Sequence, residues 1–339
     1  MQESYSGWAI QTQQTWSHWL GARWRRGRAL FIETAHLTVS IQHYSSNGVR
    51  VKFLSIQHYY FFLEGEKFQL VDYKKIASIQ LFFIYTSGTG KDYQPWLTVR
   101  DLPSAGKSHR VWGFQTQRTH HLLSDLELAA FFLFDWNPVV TDIREQYPLR
   151  LDDTIEIATQ AGIRHPEMRG QVQVMSTDFL VDTNKQNLPR MAIQVKTSSD
   201  LSNPRIIEKL ELERRYWESK GVPWYLLTEK QILKTVTKNI SWLYPAQLVL
   251  GEFEDTLNTA PLYLNFFLQN PALQISKAAM MLDQAYSLAP GESLQKIRSL
   301  MALRVFLFDI RKPWSALAVG ELQASSDMHT LRDRYAANQ

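Results

Sequence analysis

Asp178 lies in a short apolar run, and Gln194-Val195-Lys196 closes the next one. These are the residue types a metal-dependent phosphodiesterase needs. A carboxylate holds Mg²⁺ against the scissile phosphate, and a nearby cation steadies the attacking water or the charge that builds on phosphorus. Successive strand side chains point to opposite faces. In Met191-Ala192-Ile193-Gln194-Val195-Lys196 the residues Met191, Ile193 and Val195 therefore share one face, and Gln194 and Lys196 the other. The first face is expected to be core and the second chemical. Asp178-Phe179-Leu180-Val181-Asp182 predicts the partner strand, and the polar run Thr183 to Asn187 predicts the turn between them. A hairpin centred near Gln186 sets Asp178 across from Gln194, which puts carboxylate, amide and lysine within a few ångströms of one another.

Two more acids are candidates, each with a plainer explanation. An Asp and a Lys on neighbouring strands also make an ordinary surface ion pair. Glu127 follows Ser124 at the start of an apolar-periodic helix through Leu128, Phe131 and Phe132, so Ser124 as N-cap and Glu127 at N3 form a capping box. Glu213 sits on a helix expected from about Arg205 to Lys220. Ile207, Leu210 and Trp217 mark its buried stripe, and Gly221 and Pro223 stop it. An i,i+4 pair with Lys209 would explain Glu213 equally well, at a few tenths of a kcal/mol.

The elements that must position these groups fall into three parts. Residues 1–90 are aromatic-rich and predict a β-meander with turns at Ser45-Ser46-Asn47-Gly48 and Glu64-Gly65-Glu66-Lys67. In it Ser40-Ile41-Gln42-His43-Tyr44 recurs as Ser55-Ile56-Gln57-His58-Tyr59, too few copies for a repeat architecture. Its role is open between a DNA- or partner-binding module and translated sequence with little structure. Residues 91–228 predict a mixed sheet flanked by helices: a helix at Ser124, strands near Val139, Asp178 and Ile193, a helix from Arg205, and a strand Trp224 to Leu227, with the next helix beginning at Thr228-Glu229. Residues 229–325 predict a winged helix, leaving 326–339 as a tail. It has helices at Ile275 to Ala285 and Ser293 to Leu303, then strands Val305 to Ile310 and Ala316 to Val319 around Arg311-Lys312-Pro313-Trp314. The second helix of such a module can enter a major groove. Lys296 and Arg298 on it, with Arg311 and Lys312 at the wing, are candidate DNA contacts.

The series Tyr93-Gln94-Pro95-Trp96-Leu97, Ser108-His109-Arg110, His120 to Glu127, Asp142-Ile143-Arg144-Glu145-Gln146-Tyr147-Pro148-Leu149, Ser176 to Leu180, Gln194-Val195-Lys196 and Glu208 to Trp217 resembles the TnsA family, in order and over roughly three quarters of the chain. TnsA proteins are the endonuclease subunits of heteromeric cut-and-paste transposases. The resemblance implies a restriction-endonuclease-like fold, classed α/β or α+β, and Mg²⁺-dependent cutting at transposon 5′ ends. It implies Glu127, Asp178, Gln194, Lys196 and Glu213 as site residues, with Gln194 standing where many nucleases of the PD-(D/E)xK type carry a carboxylate. Asp178 would bind one or two Mg²⁺ ions, with Glu127, Gln194 and the Val195 carbonyl completing the shell. Lys196 would orient or help deprotonate the water. The implied partners are double-stranded DNA at transposon ends, a TnsB-like transposase for the 3′ ends and a TnsC-like ATPase regulator docking on the C-terminal domain. A self-sufficient nuclease and a non-catalytic DNA-binding adaptor remain alternatives, although an intact Asp178, Gln194 and Lys196 set counts against the adaptor.

Composition fits a cytoplasmic DNA-handling protein. The 339 residues carry a net charge of +4, mild enough that clustering decides phosphate affinity. The absence of cysteine excludes disulfides and thiolate-ligated zinc. No apolar run reaches a membrane span and no secretory signal is expected. The histidines show no i,i+4 pair, so a histidine metal site is not expected, and Arg23, Trp24, Arg25, Arg26 and Arg28 form a candidate nucleic-acid contact or a solvated basic tail.

Overall fold

This computed structural model describes the strand backbones at 13–14, 39–46, 49–56, 59–64 and 67–70, and residues 88–101, 107–168, 170–248 and 253–325. The chain divides into units Met1–Ile84 and Tyr85–Gln339. In the first, Gln13–Gln14, Val39–Ser46, Val49–Ile56, Tyr59–Glu64 and Lys67–Leu70 pair antiparallel in chain order as the expected meander. Ser46 pairs with Val49 and Glu64 with Lys67, the strand register expected on either side of the two Gly-containing sequences. The arginine cluster at 23–28 and the tail at 326–339 lie outside the described residues.

In the second unit a short 3-10 turn at Gly90–Asp92 precedes a hairpin, β1 (His109–Gly113) and β2 (Arg118–Leu122), followed by helix α1 (Asp125–Asp135). Then come β3 (Val140–Pro148), α2 (Leu151–Ala161), β4 (Ser176–Thr183), β5 (Arg190–Val195), α3 (Pro204–Ser219) and β6 (Trp224–Leu227). The central sheet runs β6-β5-β4-β3, antiparallel except for the parallel β5/β6 pair. Alternation packs both its faces. Phe179, Val181, Ile193 and Val195 meet Phe131 and Phe132 of α1, while Leu180 and Ala192 meet Tyr216 and Trp217 of α3. The Gln194 side is thus a second core rather than a purely chemical face, because α3 and its aromatic stripe cover it. That stripe is Leu210, Leu212, Glu213, Tyr216 and Trp217, whereas Ile207 is 45% exposed. Asn203 caps α3 through its side chain, Pro204 occupies the first turn, and Gly221 at φ +66° turns the chain out.

Beyond β6 the chain makes a turn held by Thr228 and Gln231, so α4 begins later than expected, at Lys234–Leu243. The C-terminal part comprises α5 (Phe253–Gln269), α6 (Ile275–Ala285), α7 (Glu292–Ala302) and a short ribbon of β7 (Phe306–Leu307) with β8 (Gln323–Ala324). The wing's return strand is therefore Gln323–Ala324, not Ala316 to Val319. The latter segment binds the entry to α6 instead: Ile275 N–H donates to Leu317 O at 3.2 Å and Val319 N–H to Leu273 O at 2.8 Å, with Leu317 and Val319 buried in the helical core.

Candidate active site

β4 and β5 bring the first three candidates together. Their register pairs Phe179 with Ile193 and Leu180 with Ala192, which puts Asp178 opposite Gln194 as the turn spacing predicts. Asp178 Oδ2 accepts the Val195 N–H at 2.8 Å and the Lys196 Nζ at 3.4 Å, and Lys196 Nζ also donates to the Val195 carbonyl at 2.8 Å. The Asp178 N–H donates to Gln194 Oε1 at 3.0 Å, so the amide holds the backbone of the aspartate.

Regular alternation fails at Asp178. Strict period two would place Thr177 with Phe179, on the α1 side. Instead its hydroxyl donates to Glu213 Oε1 at 2.8 Å and accepts Trp217 Nε1–H at 2.6 Å, on the α3 side. Trp224 Nε1–H also donates to Glu213 Oε1, at 3.0 Å, so Glu213 is held from the sheet and not by Lys209. Burial pushes the Glu213 carboxyl up to about 8, the nearby Asp178 charge adding to the rise.

Glu127 completes the cap of α1, and its carboxyl also feels the charges of Asp178 and Lys196. Ser124 Oγ accepts the Glu127 N–H at 3.1 Å and donates to Glu127 Oε1 at 3.0 Å. Oε2 takes the Leu123 N–H at 2.9 Å and the Gln146 Nε2–H at 3.3 Å. Burial, then the Asp178 charge, raises its carboxyl to about 7. At Lys196 burial opposes the charge, but Asp178, Glu213 and Glu127 outweigh it and hold the ammonium above its ordinary value. All three acids thus favour the charged form of Lys196.

Behind the site, sequence reasoning missed a buried brace. Glu145 is fully buried and accepts from the two terminal guanidinium nitrogens of Arg118, the Nδ1 of His120 at 2.8 Å and the His121 N–H at 3.1 Å. These partners hold the Glu145 carboxylate well below its ordinary range despite its burial. His120 is therefore a structural partner of a carboxylate.

The expected DNA contacts lie elsewhere in the chain. Lys296 pairs with Glu292 at 2.8 Å, Arg311 with Asp309 at 2.9 Å and Lys312 with Glu321 at 2.5 Å, Arg311 and Lys312 being exposed. Arg298 points inward: its Nε donates to the Trp242 carbonyl at 2.6 Å, and its guanidinium lies 5.3 Å from the Trp242 ring centre.

Asp178, the Val195 carbonyl, Gln194 and Glu127 are hard oxygen donors of the kind Mg²⁺ prefers. Lys196 Nζ already spans Asp178 Oδ2 and Val195 O, so that point favours positive charge. Among the described residues no three His, Asp or Glu side chains are grouped to hold an ion by themselves. A bound ion would depend on the carbonyl and on water or phosphate oxygens as well.

A mixed sheet flanked by helices, with a carboxylate and a lysine on adjacent central strands and two further acids delivered by the helices, defines a restriction-endonuclease-like nuclease, here followed by a winged-helix domain. Residues 137–229 match the family described as TnsA-like endonuclease N terminal, and residues 231–310 match TnsA endonuclease C terminal. The chain is 44% identical over 251 residues to the transposon Tn7 transposition protein TnsA of Escherichia coli, covering 74% of this chain and 92% of that protein. The chain belongs to the TnsA family, the endonuclease subunits of transposases. No helix among the described residues is long and apolar enough to cross a membrane.

Proposed function

We propose that the chain cuts double-stranded DNA at the 5′ ends of a transposon, in an Mg²⁺-dependent reaction inside a heteromeric transposase. A TnsB-like partner would cut the 3′ ends and a TnsC-like ATPase regulator would dock on the C-terminal domain. The single observation that carries this is Lys196 Nζ bridging Asp178 Oδ2 and the Val195 carbonyl, with the Glu127 and Glu213 carboxyls acting on the same ammonium.

Asp178, the Val195 carbonyl and Glu127 are the groups to hold the metal, with Gln194 fixing the Asp178 backbone and lending its remaining lone pair. Mg²⁺ bound there supplies Lewis-acid polarisation of the phosphate and an acidified water. Lys196, an ammonium among carboxylates, orients that water or the phosphate oxygens; its raised pKa favours this over the role of base. Glu213 fixes Thr177 next to Asp178 and keeps the strand bent at the site. Arg311 and Lys312 at the wing, with Lys296 on α7, are the proposed backbone contacts to DNA, while Arg298 anchors α7 to α4.

The test is cutting of transposon-end duplexes labelled on each strand, with Mg²⁺ or with chelator, and with or without the partner transposase. Scission of the 5′ strand that needs both metal and partner is expected. Metal-independent cutting, or none with the partner present, overturns the proposal.

A further inference from the structure

Gln146 stands inside β3, two residues before its end, with φ +47°, in the left-handed region, and is 3% exposed. A non-glycine residue in that region inside a strand is strained and persists only where its surroundings hold it. On either side of it the strand changes faces: Ile143 packs on the α1 side, whereas Tyr147 and Leu149 pack on the α3 side. The residues flanking it pair normally with β4, Glu145 with Phe179 and Tyr147 with Thr177, so Gln146 falls opposite Asp178, where the ladder is interrupted. This interruption frees the Asp178 N–H for the Gln194 side chain.

The Gln146 amide is engaged at both ends. Its Nε2 donates to Glu127 Oε2 at 3.3 Å, its Oε1 accepts the Ser176 hydroxyl at 3.3 Å, and its own carbonyl accepts the Trp96 N–H at 3.2 Å. It is thus tied to Glu127 by its side chain, while its backbone lies opposite Asp178 without pairing to it. A buried neutral amide that donates to a carboxylate can orient it without neutralising it, the part outer partners play for metal-ligating groups.

We propose that Gln146 is a positioning residue of the cleavage centre, its amide aiming the Glu127 carboxylate at the metal and its left-handed backbone opening the strand at Asp178. This rests on the nuclease reading above. Glycine adopts the left-handed backbone without steric strain, so Gln146→Gly removes the amide and spares the strain. Three measurements on the full chain decide: thermal melting without metal, calorimetric titration with Mn²⁺ and Mg²⁺, and cutting of transposon-end DNA with the partner transposase over a metal series. The glycine variant should still melt cooperatively and bind metal roughly 10- to 100-fold more weakly, with excess metal restoring most of the cutting. A folded glycine variant with wild-type metal affinity and cutting overturns this proposal alone. A wild-type chain that neither binds metal nor cuts overturns the nuclease reading and this proposal with it. If Gln146→Gly does not melt cooperatively, Gln146→Asn decides by the same titration. Its amide sits one carbon short and its backbone tolerates φ above zero, so weakened binding supports the proposal and unchanged binding overturns it.

Discussion

A carboxyl 3% exposed, with Thr177 and Trp224 as donors and Asp178 as a charged neighbour, gives Glu213 a pH signature. Its folded pKa, about 8, lies above the ordinary 4.5. The native state therefore keeps a proton that the unfolded chain releases. The stability this contributes is full below about pH 4.5 and lost as the pH rises towards 8. Glu127, raised to about 7, acts in the same direction. Without metal, the melting temperature should fall across this window. In Glu213→Gln it should fall less, with a gain at pH 8 of up to a few kcal/mol, at about 1.4 kcal/mol per unit, that vanishes below pH 4.5. Parallel melting curves for the two proteins from pH 4 to 8, a range set by about the two carboxyl pKa values, would refute the assignment. Asp178→Ala and Lys196→Ala should each abolish metal-dependent cutting and leave the circular dichroism of the fold intact. The bonds lost from Asp178, to Val195 N–H and Lys196, are worth only about 1–3 kcal/mol. Retained cutting by either purified variant would remove those residues from the centre.

The N-terminus of α1 does two jobs with one pair of residues. Ser124→Ala removes the oxygen that accepts the Glu127 N–H and the hydroxyl that donates to its carboxylate. It should cost about 1 kcal/mol in urea unfolding and weaken cutting beyond that, because Glu127 loses one of its holders; a stability loss with unchanged cutting would make the pair a cap only. The brace on β3 is stiffer. Glu145→Gln leaves Arg118 buried beside a neutral partner and should destabilise the fold by about 3–5 kcal/mol, measured by the same denaturation. These elements differ in how far the sequence discloses them. The β4/β5 register follows from the polar turn, and the cap at Ser124 and the stop at Gly221 follow from local chemistry, so Asp178, Gln194 and Lys196 could be brought together from spacing alone. The break at Gln146 and the inward turn of Thr177 could not, since both exist only because α1 and α3 supply partners from distant sequence. Leu317 and Val319 alternate like a strand, yet their alternation is satisfied by packing into the helical core. Ile207 fits a helical stripe that ends, in space, one turn short of it.

Across the unit that holds both the nuclease and the winged helix, α4 belongs to two cores. Ile240 packs beneath the sheet with Phe131 and Phe132, while Leu243 packs with Ile275, Ile297 and Leu300. At the chain's next turn the Tyr244 hydroxyl lies 2.6 Å from Asp135 Oδ2 and from the Trp112 carbonyl, and Arg304 donates to the Trp136 carbonyl. The C-terminal domain therefore grips the far end of the helix whose first turn presents Glu127. Asn239 fastens α4 to the wing: its Nδ2 donates to the Ile310 and Lys312 carbonyls at 2.8 and 2.7 Å, and its Oδ1 accepts the Trp314 N–H at 3.1 Å, which seats Trp314 in a stack on Trp242 with ring centres 3.8 Å apart. Asn239→Leu keeps the volume and orphans three backbone groups. At about 1–3 kcal/mol for each buried group left unpaired, the wing should loosen while the sheet, which makes none of these bonds, stays folded. Calorimetry should resolve one wild-type transition into an early C-terminal melt and a later nuclease melt. Metal titration of the variant should be unchanged at temperatures below the first melt, and cutting that needs the partner proteins should fall. A single transition at the wild-type temperature would mean that apolar packing and the Tyr244 and Arg304 bonds hold the nuclease and the wing together, with the Asn239 bonds contributing nothing to their union.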